Sequence, residues 1–245
     1  MSPHLVLDLA APLMSFGQEQ VGEHGPTGFF PGPSVITGLL ANAMGWNRTD
    51  GAAHDRLQSR LVMGAALVSR GEVLTDFQTT RLSQADGSWT TRGQPEGRAS
   101  SNTYGVDPDD RRRTGREDKV LTHRRWRDAR ADARVLVALR LEPADEEPTL
   151  HAVAQALKRP ARPLFLGRKA FIPSRRILLD VVEARTVRGA LWDALSHQVD
   201  EPSRIQAQWD ASEGGEGRTV RLRDVRAWQI GVHAGERAVH EGSLS

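Results

Sequence analysis

An α+β fold of the ferredoxin-like, RRM-like kind is what this 245-residue sequence predicts, with a long insertion and a small, mostly β C-terminal region. Three observations carry the expectation. Apolar runs of strand length alternate with segments of helical spacing. Their order in the first half is strand, helix, strand, strand, insertion, strand, helix. Gly and Pro signals separate the runs. Strand–helix alternation by itself also admits other α/β folds.

"HLVLDLA" (4–10) is the first strand, and "PLMSFG" turns out of it at Gly17. The loop "GPTGFFPGP" then feeds an apolar run in which Ser34 is placed to cap a helix over about 35–45, ending at Gly45. "RLVMGAALVSRGEVLTDFQTT" predicts two strands turning at Arg70-Gly71. From about 80 to 122 the pattern dissolves into a polar, Gly-rich stretch without period. "ARVLVALRLEP" (133–143) is again a strand, and "TLHAVAQALKRP" (149–160) sets Leu150, Val153, Ala154 and Leu157 at helical spacing before Pro160. "RILLDVVEA" reads as strand and "VRGALWDALSHQ" as helix. Further strands are expected near 204–210, 218–224 and 225–233, followed by a frayed tail, "HAGERAVHEGSLS". These elements divide into a domain over 1–175, carrying an insertion over 79–122, and a C-terminal α+β region over 176–245.

Composition narrows the function. The absence of cysteine excludes disulfides and thiolate metal sites, and the histidines show no HExxH or similar spacing, so no metal or other cofactor is expected. No apolar run approaches bilayer length, and the start lacks a basic segment ahead of its apolar stretch, which Asp8 interrupts. A cytoplasmic protein without membrane contact is the expectation. Only Lys119, Lys158 and Lys169 among 33 basic residues are lysines. Arginine's planar fork suits phosphate and base stacking, although a GC-rich genome produces the same bias. Position therefore has to decide.

Two stretches stand out by position. Residues 111–134 hold nine arginines and Lys119 against four carboxylates, including the run Arg111-Arg112-Arg113. Within it "THRRWRDAR" interleaves His123, Arg124, Arg125, Arg127 and Arg130 with Trp126, cations for phosphates and a π-face for a base. A solvated charged loop with a core tryptophan would read the same way. In "PLFLGRKAFIPSRR" (163–176), Gly167, Arg168 and Lys169 lie between apolar runs and prolines, where close backbone and cations can hold a phosphate. The spacing is not that of a Walker A loop, so nucleotide hydrolysis is not indicated.

No GxSxG, paired-carboxylate or cysteine-nucleophile motif is present. His123 could serve as general base toward a ribose 2′-hydroxyl, with Tyr104 and Lys169 completing the site. A histidine that only binds RNA or faces solvent is the simpler account, so the chain is expected not to be an enzyme.

With these segments in order, the sequence resembles the CasD family of type I-E CRISPR Cascade subunits, in the RAMP superfamily. The resemblance runs through "LVLDLAAPLMSFG", "GPTGFFPGPSVITGLLANAMGW", "LTDFQTT", "RRWRDARADARVLVALRLEP" and "ARPLFLGRKAFIPS". It implies an RRM-like domain whose insertion forms a protruding thumb. It also implies non-catalytic binding of the 5′ handle of the guide RNA (crRNA) and contacts with the backbone subunit CasC and the large subunit CasA. Target DNA is met indirectly, in antiviral defence. Ser15, Phe16 and Gly17 match the family's turn after the first strand, and Ser34 and Thr37 its helix start, where Gly32-Pro33 replace a Thr-Lys/Arg pair. Arg124, Arg125, Trp126 and Asp128 match a strand, and Gly167, Arg168 and Lys169 the Leu-Gly-Arg-Lys/Arg loop. Tyr104, Arg111, Arg112, Arg113, His123 and Arg127 join the expected RNA-binding set by charge, chemistry or position. Two alternatives stay open: a metal-independent endoribonuclease acting on CRISPR precursor RNA, and a scaffold whose basic face meets an acidic protein.

Overall fold

The computed structural model describes residues 1–18, 20, 22–81, 122–199 and 204–244, with Thr80, Arg81, Thr122 and His123 described as backbone. The elements are β1 (Ser2–Ala10), β2 (Leu13–Met14), β3 (His24–Gly25), α1 (Pro33–Ala43), α2 (Gly51–Ser59), β4 (Leu61–Ser69), β5 (Glu72–Arg81), β6 (Thr122–Ala131) and β7 (Arg134–Leu141). There follow α3 (Leu150–Lys158), β8 (Leu178–Ala184), α4 (Val187–Ser196), β9 (Gln206–Asp210), β10 (Arg218–Ala227) and β11 (Val232–Ser243). Met1–Glu19, Pro26–Leu74 and Asp128–Ser245 form one compact unit; Gln20–Gly25 and Thr75–Arg127 form a second.

The first unit is built on a seven-stranded sheet in the order β10-β11-β9-β4-β7-β1-β8. Its β8-β1-β7-β4 portion is antiparallel at every neighbour. With α1 and α2 linking β1 to β4, and α3 linking β7 to β8, this is the strand order of a ferredoxin-like βαββαβ unit. The period-two alternation of the strands sorts their side chains between two cores. Leu5, Leu7, Leu9, Val135, Val137 and Leu139 face Ile36, Leu40, Leu57, Val153 and Leu157 of the helices. On the other face Ala66, Leu136 and Ala138 meet Val187, Ala190, Leu191 and Leu195 of α4, with Trp209 of β9. An RRM reads RNA on an open sheet face. Here both faces of the central strands are covered, so loops and strand ends are left for binding.

The local stop and turn signals act as the sequence predicts. After α1, Gly45 at φ +80° donates to the Asn42 carbonyl and Trp46 donates to the Ala41 carbonyl, which closes the helix in a Schellman motif. Gly71, at φ +58°, leaves no space for a side chain: a Cβ there would lie 2.1 Å from the Ala131 carbonyl oxygen. Thr149 and Thr186 cap α3 and α4 through the amides of Ala152 and Gly189.

Other expectations are corrected. Gly32, not Ser34, is the N-cap of α1, with Pro33 at the first turn, because no side-chain bond from Ser34 closes the helix start. The sheet runs on across 175/176: β8 is the outer strand beside β1, and α4 packs on the same sheet. The tail does not fray, since β11 pairs with both β10 and β9 through Val239, His240 and Glu241. α2 was not anticipated; its apolar face is narrow, with only Leu57 joining the core. The insertion expected over 79–122 lies outside the described residues except at its two strand ends, and no helix among the described residues is long and apolar enough to cross a membrane.

Candidate nucleic-acid interface

In the first unit, backbone geometry brings the turn after β1 against the 163–176 loop. The Ser15 amide donates to the Leu166 carbonyl at 3.1 Å. Gly167, at φ +97°, lies so close that a Cβ would stand 2.0 Å from the Ser15 carbonyl oxygen. This is why a glycine precedes the cations. The end of β6 completes the arrangement: Ser15 Oγ donates to the Asp128 carbonyl at 3.3 Å, and Arg168 Nη2 donates to the same oxygen at 2.9 Å. Arg168 also lies 5.2 Å from the Phe171 ring centroid.

The predicted set therefore divides by burial. Arg168 is half-buried and fastens the loop to β6, whereas Lys169 beside it is exposed. Phe16 is core, with its amide donating to Thr27 Oγ1 at 2.9 Å, and Thr37 is fully buried within α1. Both side chains are closed off from solvent. Ser15 and Ser34 are half-buried. Gly17 is exposed, and a Cβ built on it meets nothing within 4 Å. Its backbone is thus open to a close-lying partner.

Arg130 belonged to the basic cluster in sequence, yet it is buried. It donates to the Gly28 and Arg70 carbonyls at 3.1 Å each and stacks 3.6 Å from the Phe29 ring centroid. Burial, and then the nearby Arg70 charge, hold its guanidinium below the ordinary arginine range. It ties the 26–30 loop to the strands.

In the second unit β3 runs parallel to β6, pairing His24 with Trp126 and Gly25 with Arg127, and the Trp126 amide donates to the Glu23 carbonyl at 3.1 Å. β5 pairs with β6. Along β6 the alternation puts Arg124 and Trp126 on one face and Arg125 and Arg127 on the other. Arg124 is exposed, and Arg125 and Arg127 are half-exposed. None of the three pairs with a carboxylate among the described residues. Phe77 of β5 contacts Trp126, with ring centroids 5.0 Å apart and planes inclined by 38°. Sequence reasoning did not single out Phe77, an aromatic alone among Thr, Asp and Gln in "LTDFQTT". Tyr104, Arg111, Arg112 and Arg113 lie outside the described residues, and so does the side chain of His123. Among the described residues no cluster of His, Asp and Glu could hold a metal ion.

Solved structures share this fold. The chain superposes on a "CRISPR RNA-guided surveillance complex" component with a TM-score of 0.67 at 24% identity, covering 98% of this chain and 90% of the other. It superposes on a "Cas protein" crystal structure with a TM-score of 0.58 at 24% identity, covering 98% and 94%. No curated protein matches the sequence. The family described as "CRISPR-associated protein (Cas_Cas5)", profile Cas_Cas5d, matches residues 4–240, from β1 into β11 and through both compact units. By that match the chain belongs to the Cas5 family of CRISPR-associated proteins.

Proposed function

We propose that this Cas5-family chain is a non-catalytic, RNA-binding subunit of a Cascade-type CRISPR complex that caps the 5′ handle of the guide RNA. The finer assignment is to the type I-E CasD subunit, contacting CasC and CasA and meeting target DNA only indirectly. The observation that carries the reading is the β6 strand, where Arg124, Arg125 and Arg127 pair with no carboxylate among the described residues and flank a partly exposed Trp126. Unpaired arginines would repel one another in an isolated fold, whereas a polyanion neutralises them. The exposed Lys169 and the open backbone at Gly17 support it in the first unit. The fold shared with a component of an RNA-guided surveillance complex is consistent with the reading.

Co-expression with the genomic neighbours, followed by sequencing of bound RNA, tests the proposal. Guide RNA with a common 5′ end is expected to co-purify, and the purified chain should bind single-stranded RNA with strong salt dependence. Salt-insensitive or absent RNA binding would leave the scaffold reading. Incubation of the purified chain with repeat RNA under chelation should leave the RNA intact. A specific cut, lost in His123→Ala, would make the protein a ribonuclease.

A further inference from the structure

We infer that Phe77 and Trp126 together form a stacking platform for one unpaired nucleobase, an inference that rests on the RNA-binding reading above. Phe77 is 52% exposed and Trp126 37% exposed, so two large aromatics stand in solvent side by side. Their contact is already closed at 5.0 Å, which leaves no gap for a base between the rings. A base therefore stacks on the outer face of the pair.

The surroundings select the occupant. The immediate neighbours of Phe77 along β5, Thr75, Asp76, Gln78 and Thr79, are polar, and the exposed Val73 and Leu74 lie further along the strand. Arg124 shares the Trp126 face of β6, two residues away. Arg125 and Arg127 project from the opposite face of the same strand. A π-surface beside the Arg124 guanidinium, which pairs with no carboxylate among the described residues, on a strand that carries two further arginines, matches an anionic chain of planar groups, a single-stranded nucleic acid. Stacking tolerates any base, so the platform anchors the strand without reading its sequence. The arginines provide the phosphate contacts, and Phe77 contributes none of the charge.

That division supplies the test. Binding of a 12-nucleotide oligouridylate to the full-length chain is measured by fluorescence anisotropy over a range of salt, beside an abasic RNA of equal length. Phe77→Ala is expected to weaken oligouridylate binding about tenfold. It should leave the slope of log K against log salt unchanged and bind the abasic strand as wild type does. Phe77→Tyr should restore the affinity. Phe77 is exposed, so a melt of each variant checks that the fold is retained. Wild-type affinity in Phe77→Ala, or an equal loss on abasic RNA, would overturn the platform while leaving RNA binding intact. Unchanged RNA affinity with loss of co-purifying subunits would assign the patch to a protein contact instead. A wild-type chain that binds neither strand would defeat this inference together with the RNA-binding reading.

Discussion

Replacing Arg168 and Lys169 one at a time separates structure from binding within a single dipeptide. Arg168→Ala removes the 2.9 Å bond to the Asp128 carbonyl and the contact with Phe171. A hydrogen bond from a charged donor contributes about 1.5–3 kcal/mol, and a cation–π contact about 0.5–1 kcal/mol at partly exposed sites. Half-exposure of Arg168 places the total at about 2 kcal/mol, since water replaces part of what is lost. For a chain of this length that lowers the melting temperature by about 4–8 °C. Lys169→Ala should leave the melt within about 0.5 kcal/mol of wild type, as surface substitutions do. It should flatten the salt dependence of single-stranded RNA binding by about 0.7 in slope, the loss of one phosphate contact. Thermal melts and salt-titrated anisotropy on the same two variants read both quantities. If Arg168→Ala melts as wild type does and flattens the salt slope like Lys169→Ala, the structural role given to Arg168 is wrong.

Three further outcomes follow from groups held tightly by their surroundings. Gly167→Ala should cost about 3 kcal/mol or more, because a left-handed backbone and a 2.0 Å clash with the Ser15 carbonyl act together, and urea unfolding measures it. The fully buried Arg60 donates to the carbonyls of Pro143, Glu146 and Pro148 at 2.7, 2.6 and 3.2 Å. Arg60→Lys should therefore lose about 2–3 kcal/mol despite keeping the charge, since one ammonium cannot span three acceptors in a fixed fork; unchanged urea unfolding would refute the clamp. His4 is buried, with Nδ1 donating to the Ser2 carbonyl at 2.8 Å and Nε2 without a hydrogen-bond partner among the described residues. Burial lowers its pKa from the ordinary 6.5, outweighing the Ser2 bond, which raises it. The unfolded chain thus binds the proton more readily, so this contribution is fully present above about pH 7 and is lost as pH falls through 6.5 toward the folded pKa. From pH 7.5 to 5.5 the wild type should lose more stability than His4→Leu, and equal losses would refute the role of His4.

The sequence by itself determined the periodicities and the punctuation. Strand runs at 4–10 and 133–143, the Arg70-Gly71 turn and the stop at Gly45 are local properties, because the backbone needs of a turn or cap fall on the residues that make it. The ordered motifs also led to a CRISPR-associated family, at the resolution of Cas5. Tertiary structure decided which cations remain for a ligand. Arg130, Arg168 and Lys169 look alike in sequence. Yet Arg130 meets a carbonyl 102 residues away and Arg168 one 40 residues away, whereas Lys169 stays in solvent. The same holds for Phe16 and Thr37, matched by motif but taken into the core, and for Phe77, which meets Trp126 only because β5 lies beside β6. The physical reason is that availability depends on the acceptors and rings that distant segments bring to a side chain, and no window of sequence contains them.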